Sequence, residues 1–443
     1  MAKRVVITGV GWVTPLGTGV DAVWERLIRG ENGFGSITRF DASTFGTNFA
    51  AEVKGFALRD HLANWQAHAH AGTSTQFALA AGSAAVRQAG LANSATPLNA
   101  GRMGVYMGAG EGSLDFKNFV ATNLAGYDRG TKALSDSAWA QAGVALMNAR
   151  AEVEQEPSAT LAHVAEEFDC RGPAYNCMTA CAASTQAIGE AFELIKRGDA
   201  DVMLAGGAHS MIHPLGMTGF IRLTAMSTRR DTPGSASRPF DVNRDGFVMG
   251  EGAGMLVLES LDHALARGAK PLAEVAGFGS SADAFRITDI QPEGKGAQGA
   301  MLKACRQAGI NPREPGPDGR PQVHYISAHG TGTQENDRIE TIAVKGVFGP
   351  FAPKVPFSSV KSSLGHLIQA AGAVELITCV QAIRTGILPA TMNLSAPDPE
   401  CDLDYVPNQA RDVNAIGGVD VCLSNSFGFG GQNNTLCVRR YRP

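Results

Sequence analysis

"GPAYNCMTACAASTQAIGEAFELIKRGDADVMLAGGA", residues 172–208, is the stretch whose reading decides the fold. A short apolar run ends near Met178. A turn of small residues surrounds Cys181, a helical pattern stops at Gly198, and a second apolar run follows. Strand, helix, strand over so few residues is the unit of a layered α/β fold. The order returns in "VPFSSVKSSLGHLIQAAGAVELITCVQAIRTGILPA", residues 355–390. The helix there is apolar nearly all round, so it should be buried on every side. One pattern around Cys181 and again around His366 points to an internal duplication, far longer in period than a short repeat.

Outward from these two units the chain keeps alternating. "RVVITGVGWVTPLG" (4–17) reads as a buried strand and a Gly/Pro turn, and "GRMGVYMGAGEGS" (101–113) as a strand entering a glycine loop. Between about 115 and 157 the sequence is polar and Ala-rich, with one helix expected in "SDSAWAQAGVALMNARAEVEQ" (135–155). "VHYISAHGTGT" (323–333) is a strand and a polar loop, and "VCLSNSFGFGGQNNTLCVRRY" (421–441) a strand, a glycine loop and a strand. "NPREPGPDGRPQ" (311–322) reads as a surface loop. A chain of 443 residues exceeds one simple core and divides into two halves, 1–265 and 266–443.

Composition excludes several classes. Hydrophobic residues are 44% and charged residues 18%, as in soluble globular proteins, and the formal charge of −4 gives no footprint for nucleic acid. No run approaches the ~18 apolar residues of a membrane span, and the N-terminal apolar run is too short for a signal peptide. Eight cysteines scattered through such a chain are expected to be reduced thiols, which places the protein in the cytoplasm.

Three readings compete for Cys181: a buried small hydrophobe, part of a metal site, or a nucleophile. It sits where a strand gives way to a helix, where free N–H groups and the positive dipole end stabilise a thiolate. His329 in "SAHGTGT" and His366 in "SSLGHL", the latter at the start of a helix, each follow a strand in a glycine loop. A neutral imidazole there can donate to a developing oxyanion or move a proton. A Cys/His/His zinc site is the rival, weakened by the absence of short ligand spacing and of a fourth ligand. Lys361 and Glu375 flank His366, and a Glu on so apolar a helix should be buried and paired. "NSFGFGGQN" (425–433) suits either a mobile aromatic flap at Phe427 and Phe429 or a tight β-corner.

Seven motifs in order resemble the condensing enzymes, most closely the β-ketoacyl-acyl carrier protein synthase II type. They are "RVVITGVGWVTPLG", "TACAAST", "GDADVMLAGGA", "SRPFDVNRDGFVMGEGAG", "AHGTGTQENDRIE", "VKSSLGHLIQAAGAVE" and "SNSFGFGGQN". The resemblance implies a thiolase fold, two similar halves in an α-β-α-β-α stack, and a homodimer. It implies decarboxylative Claisen condensation of an acyl thioester with malonyl-acyl carrier protein, with Cys181 accepting the acyl group. His329 and His366 would support decarboxylation, Lys361 would order the site, and Glu375 would be its partner. The N–H groups of Cys181 and Phe429 would form the oxyanion hole, with Phe429 and Phe427 gating. Thr331 and Thr333 would bind phosphopantetheine, which arrives on the carrier protein, so that no cofactor or metal is resident. Phe220, Ile368 and Glu111 would line the acyl pocket. Cys177 is expected to be packing.

The sequence departs from that pattern in places. Glu111 stands where an apolar pocket residue is usual, the 115–157 segment is long, and Arg286 replaces a common histidine. "WQAHAHAG" (65–72) lacks the basic residues often used to dock a carrier protein. These leave open a ketosynthase of a specialised polyketide or polyene pathway. A non-catalytic chain-length-factor-like subunit would lack the nucleophile, and a CoA-dependent thiolase would want a second cysteine where "SNSFGFGG" has Phe.

Overall fold

The computed structural model describes residues 3–91, 98–110 and 114–443. The strands that carry the architecture are β1 (Val5–Thr14), β2 (Met103–Gly108), β3 (Ala174–Cys177), β4 (Val202–His209), β5 (Gly252–Ser260), β6 (Ala273–Ala282), β7 (Tyr325–Ser327), β8 (Phe357–Ser358), β9 (Val421–Gly428) and β10 (Gln432–Arg439). The first five lie in the order β3-β2-β4-β5-β1, and the second five in the order β8-β7-β9-β10-β6. These are the same permutation. In each, three strands run parallel and the last two are antiparallel to their neighbours. The two sheets join where β1 and β6 pair through Val5–Val275, Val6–Glu274 and Ile7–Ala273.

Helix α1 (Thr73–Ala89) covers the outer face of the first sheet, and α3 (Lys295–Gln307) that of the second. Between the sheets lie α2 (Ala183–Arg197) and α4 (Ala371–Thr385), each touching strands of both halves. This is the α-β-α-β-α stack of the thiolase fold. Lying between the two sheets, α4 has no solvent face, and every residue from Ala371 to Ile383 is buried. The outer layers repeat in detail. A Cβ on Gly11 of β1 would lie 2.1 Å from the Ala81 carbonyl of α1, and one on Gly279 of β6 would lie 1.9 Å from the Ala300 carbonyl of α3. Both strands approach their helix more closely than any side chain permits.

The middle helices are twins. A 3-10 turn, Ala180–Ala182 or Ile368–Ala370, precedes each, and each ends at a left-handed glycine, Gly198 or Gly386. Each 3-10 turn opens on a non-glycine residue at positive φ, Ala180 at 47° and Ile368 at 40°, a conformation that is held only where surrounding packing imposes it. The helices start side by side. Ser184 Oγ accepts the Ala373 N–H at 2.9 Å, and a Cβ on Gly372 would fall 1.8 Å from Thr185 Oγ1. Two positive helix ends therefore converge on one place.

Three details of the sequence reading change. The helix expected over 135–155 is broken into Asp136–Leu146 and Ala149–Val153. Met147 is extended, and Asn148 starts the second piece by accepting from the N–H groups of Arg150 and Ala151. A further helix, Phe116–Gly126, precedes them, its first turn held by the Asp115 carboxylate. His366 is not at a helix start. It lies between the short turn Lys361–Leu364 and the 3-10 turn at Ile368.

Candidate active site

Parallel strands present all their C-terminal ends on one side, where loops can converge. Cys181 follows β3, His329 follows β7, Lys361 and His366 follow β8, and Phe427 lies near the end of β9. The sulfur of Cys181 and one ring nitrogen each of His329 and His366 lie within 4.8 Å of one another. All three residues are buried. They border a cavity of about 420 Å³ that is also lined by Thr331, Thr333, Phe220, Ile368, Phe427 and Phe429.

The hydrogen bonds fix what each imidazole can do. His366 Nδ1 accepts the Ile368 N–H at 3.2 Å, so in the neutral ring the proton is on Nε2, which lies 3.1 Å from Cys181 Sγ. The Lys361 ammonium lies 3.5 Å from His329 Nδ1, which favours the same Nε2–H tautomer there. Burial, with Lys361 as a lesser cause, holds both imidazoles well below their ordinary pKa. Both are therefore neutral donors at neutral pH. A neutral N–H can polarise an oxygen without first giving up a proton, and no third ligand besides Cys181 is grouped with them among the described residues.

Lys361 is buried beneath the site. Its ammonium donates to the His329 carbonyl at 2.6 Å and to Glu375 Oε1, which together with His329 Nδ1 occupies its three protons. Burial pushes Glu375 up to about 7 despite the ammonium beside it. Its Oε2 is buried with no hydrogen-bond partner among the described residues.

Sequence reasoning missed Glu340. Its carboxylate accepts the N–H groups of His329 at 2.9 Å and Gly330 at 2.8 Å, and the Asn425 amide at 3.2 Å. It thereby ties the His329 loop to β9, and burial raises its pKa to about 7. An acid among apolar residues of a helix, in "DRIETIAV", was the available signal. Asp337, on the same helix, accepts the N–H of Phe240 at 2.8 Å and that of Gly332 at 3.2 Å, with the buried Arg244 guanidinium 3.7 Å away.

The remaining expected residues fall as follows. A Cβ on Gly428 would lie 3.3 Å from the Cys181 nitrogen, so the Gly428–Phe429 backbone runs against the start of the Cys181 turn. Thr331 and Thr333 join their hydroxyls at 2.9 Å on the cavity wall. Phe220 and Ile368 pack beside Cys181 in one apolar cluster with Met217 and Phe247. Glu111 lies outside the described residues. Arg286 is exposed and paired with Asp289 at 2.9 Å. Cys177 bonds the Ala183 carbonyl through sulfur at 3.2 Å, and burial pushes its thiol up to about 12, which disfavours a thiolate.

A cysteine at a double helix start, facing two neutral imidazole donors across an apolar-sided cavity, defines an acyl-transferring thiol enzyme of thiolase fold. Comparison with known proteins narrows the class. Residues 2–264 match the beta-ketoacyl synthase N-terminal domain and residues 272–395 the C-terminal domain. The chain belongs to the β-ketoacyl synthase family. It is 42% identical over 440 residues to 3-oxoacyl-acyl-carrier-protein synthase 2 of Synechocystis sp., and 41% identical over 442 residues to that of Coxiella burnetii, covering 99% of each chain. A beta-ketoacyl synthase from Burkholderia phymatum superposes with a TM-score of 0.84 at 33% identity, over 99% of this chain and 100% of that one. A type II PKS acyl-carrier protein in complex with its ketosynthase bound to the hexaketide gives 0.83 at 31% identity, over the whole of both chains.

Proposed function

We propose that the protein condenses an acyl thioester with malonyl-acyl carrier protein to give a β-ketoacyl thioester, as in fatty-acid elongation. The Cys181 sulfur attacks the incoming acyl carbonyl, the N–H groups of Cys181 and Phe429 hold the oxyanion, and the phosphopantetheine sulfur leaves, taking up the proton that the Cys181 thiol gave up. Malonyl thioester then enters past Phe427 and Phe429, its pantetheine arm along Thr331 and Thr333. Its carboxylate departs as CO₂, and the Nε2–H groups of His329 and His366 hold the enolate oxygen. The enolate carbon attacks the Cys181 thioester, the new C–C bond forms, and the sulfur leaves. CO₂ loss makes the carbanion without a strong base, which suits two imidazoles held neutral. Lys361, Glu375 and Glu340 position His329, while Phe220 and Ile368 bound the acyl chain.

The observation that carries this reading is the 3.1 Å approach of His366 Nε2 to Cys181 Sγ, with His329 on the same cavity. The partners proposed with it are a carrier protein bearing acyl and malonyl groups, and a second copy of the chain. Homodimer formation is supported by the open edge of β3, where Tyr175 is 51% and Met178 60% exposed. The two halves divide near residue 265, the first with the nucleophile and the second with the histidines. The cytoplasm is the compartment proposed; no helix among the described residues is long and apolar enough to cross a membrane.

A specialised polyketide ketosynthase is the second reading, favoured by the hexaketide-bound ketosynthase neighbour and by the 115–157 segment. Intact-mass measurement after incubation with short, medium, long and polar polyene acyl-carrier proteins decides between them. Adducts at Cys181 from saturated chains support elongation, and loading only by polyene or polyketide chains supports the second reading. An adduct at Cys177 and none at Cys181 overturns the assignment.

A further inference from the structure

A second cluster of histidines lies outside the active site, where the 115–157 segment rejoins the body. His68 ends the turn Trp65–His68 and is fully buried. His163 and Glu166 are three residues apart on the helix Ala159–Glu167, so they share its face. Glu154 follows the helix Ala149–Val153, the last element of the long segment. The ring nitrogens His68 Nδ1 and His163 Nδ1 face each other at 2.9 Å. Both opposite nitrogens are engaged by carboxylates: His68 Nε2 with Glu167 at 3.0 Å and His163 Nε2 with Glu154 at 2.9 Å.

Those two carboxylates only accept, so each ring carries its proton on Nε2 and turns a lone pair on Nδ1 toward the other ring. Two lone pairs cannot bond each other, and something positive has to lie between them. One ring nitrogen of His68, one of His163 and one carboxylate oxygen of the exposed Glu166 all lie within 4.8 Å of one another. The surroundings are acidic. Neither Lys nor Arg among the described residues pairs with Glu154, Glu166 or Glu167, and Glu154 Oε2 is buried with no hydrogen-bond partner among them. Imidazoles oriented by a carboxylate on the far nitrogen are the usual outer shell of a metal-bound histidine.

We propose that His68 Nδ1, His163 Nδ1 and Glu166 bind a zinc-type divalent cation, with water as the fourth ligand and Glu154 and Glu167 as outer-shell acceptors. Tetrahedral zinc at about 2.05 Å from each nitrogen needs them about 3.3 Å apart, so the rings open by only about 0.4 Å. Two imidazoles and one carboxylate suit zinc or its neighbours and not calcium or magnesium, which prefer all-oxygen shells. The cation fastens the helix Ala159–Glu167 to the turn at His68 and, through Glu154, anchors the end of the inserted segment. It takes no part in condensation.

The test uses the full-length protein, stripped with chelator and dialysed against limiting Zn²⁺ or Co²⁺. The parent is expected to retain one equivalent and to show the visible absorption of four-coordinate cobalt, and its melting temperature should rise with zinc. His163→Gln should lose the bound metal and the zinc-dependent rise while keeping condensation activity. Glu166→Gln should bind at least tenfold more weakly. Cys181→Ala should still retain one equivalent. No retained metal in the parent overturns the proposal, because a proton shared between the rings then suffices. Metal lost in Cys181→Ala but kept in His163→Gln also overturns it, since the cation would then belong to the catalytic cysteine.

Discussion

Replacing Lys361 with Met tests the buried charge arrangement under His329. In the parent, Glu375 rises from an ordinary 4.5 to about 7 in the folded state, although the Lys361 ammonium opposes the rise. A raised acid binds more protons folded than unfolded, so stability falls as pH climbs from about 4.5 to about 7 and is level beyond. That rise corresponds to roughly 3 kcal/mol of preference for the protonated carboxyl. Met removes the opposing ammonium, so the folded pKa of Glu375 moves further up and the window of falling stability extends above 7. At ~1.4 kcal/mol per pH unit for one proton, Lys361→Met should lose ~2 kcal/mol between pH 7 and 8.5 that the parent does not lose. Urea unfolding at the two pH values measures this. The double variant Lys361→Met, Glu375→Gln carries no titrating group there and should recover the parent's level profile, yet remain slow in condensation because His329 has lost its support. Equal pH dependence in Lys361→Met and parent would refute the reasoning, as would failure of the second substitution to level the profile.

Other outcomes follow from the same geometry. Cys181→Ala should abolish acyl loading, and Cys177→Ala should keep most of it, as read by intact mass. His366→Ala should still load acyl on Cys181 but release CO₂ from malonyl-carrier protein ~10²–10³ more slowly, the usual loss for one oxyanion donor; unchanged CO₂ release would remove His366 from the mechanism. Gly372→Ala puts a methyl where Thr185 Oγ1 already lies and should cost ~1–3 kcal/mol in urea unfolding. Gly219→Ala, in the helix Pro214–Arg222 with nothing near its Cβ, is the control for that measurement and should be neutral or stabilise by up to ~1 kcal/mol, the helix preference for Ala over Gly.

Strand–turn–helix units around Cys181 and His366 were legible because their punctuation is local: small residues at the turn and Gly198 or Gly386 at the stop. The burial of Glu375 was legible because its helix is apolar on every side. The same logic failed for Glu340, whose helix carries enough charge on one face to pass for a surface element. Its partners are backbone N–H groups of a loop, which leave no mark in composition. Asn148 looked like one polar residue in a helical run, and only its side-chain bonds to Arg150 and Ala151 reveal a break. His68 and His163 are 95 residues apart and neither stretch signals the other. The duplication was visible in the two strand–turn–helix units, yet the matching glycines of β1 and β6 carried no such signal, since two glycines alternating in a strand mean little until a helix lies against them.

The joined sheets leave this molecule without a seam. Domains that clamp on substrates do so about a hinge between separate interiors, but here both halves own the same middle layer, and parting them would expose α4 and the apolar side of α2 at once. Admission of two different thioesters in turn therefore falls to the rims. The loop after Phe427 is one such rim: Gly430 and Gly431 stand at φ of 85° and 70°, next to the phenyl rings that border the cavity. The cysteine and the imidazoles hang from that shared layer, so their spacing is set apart from the loops that border the cavity.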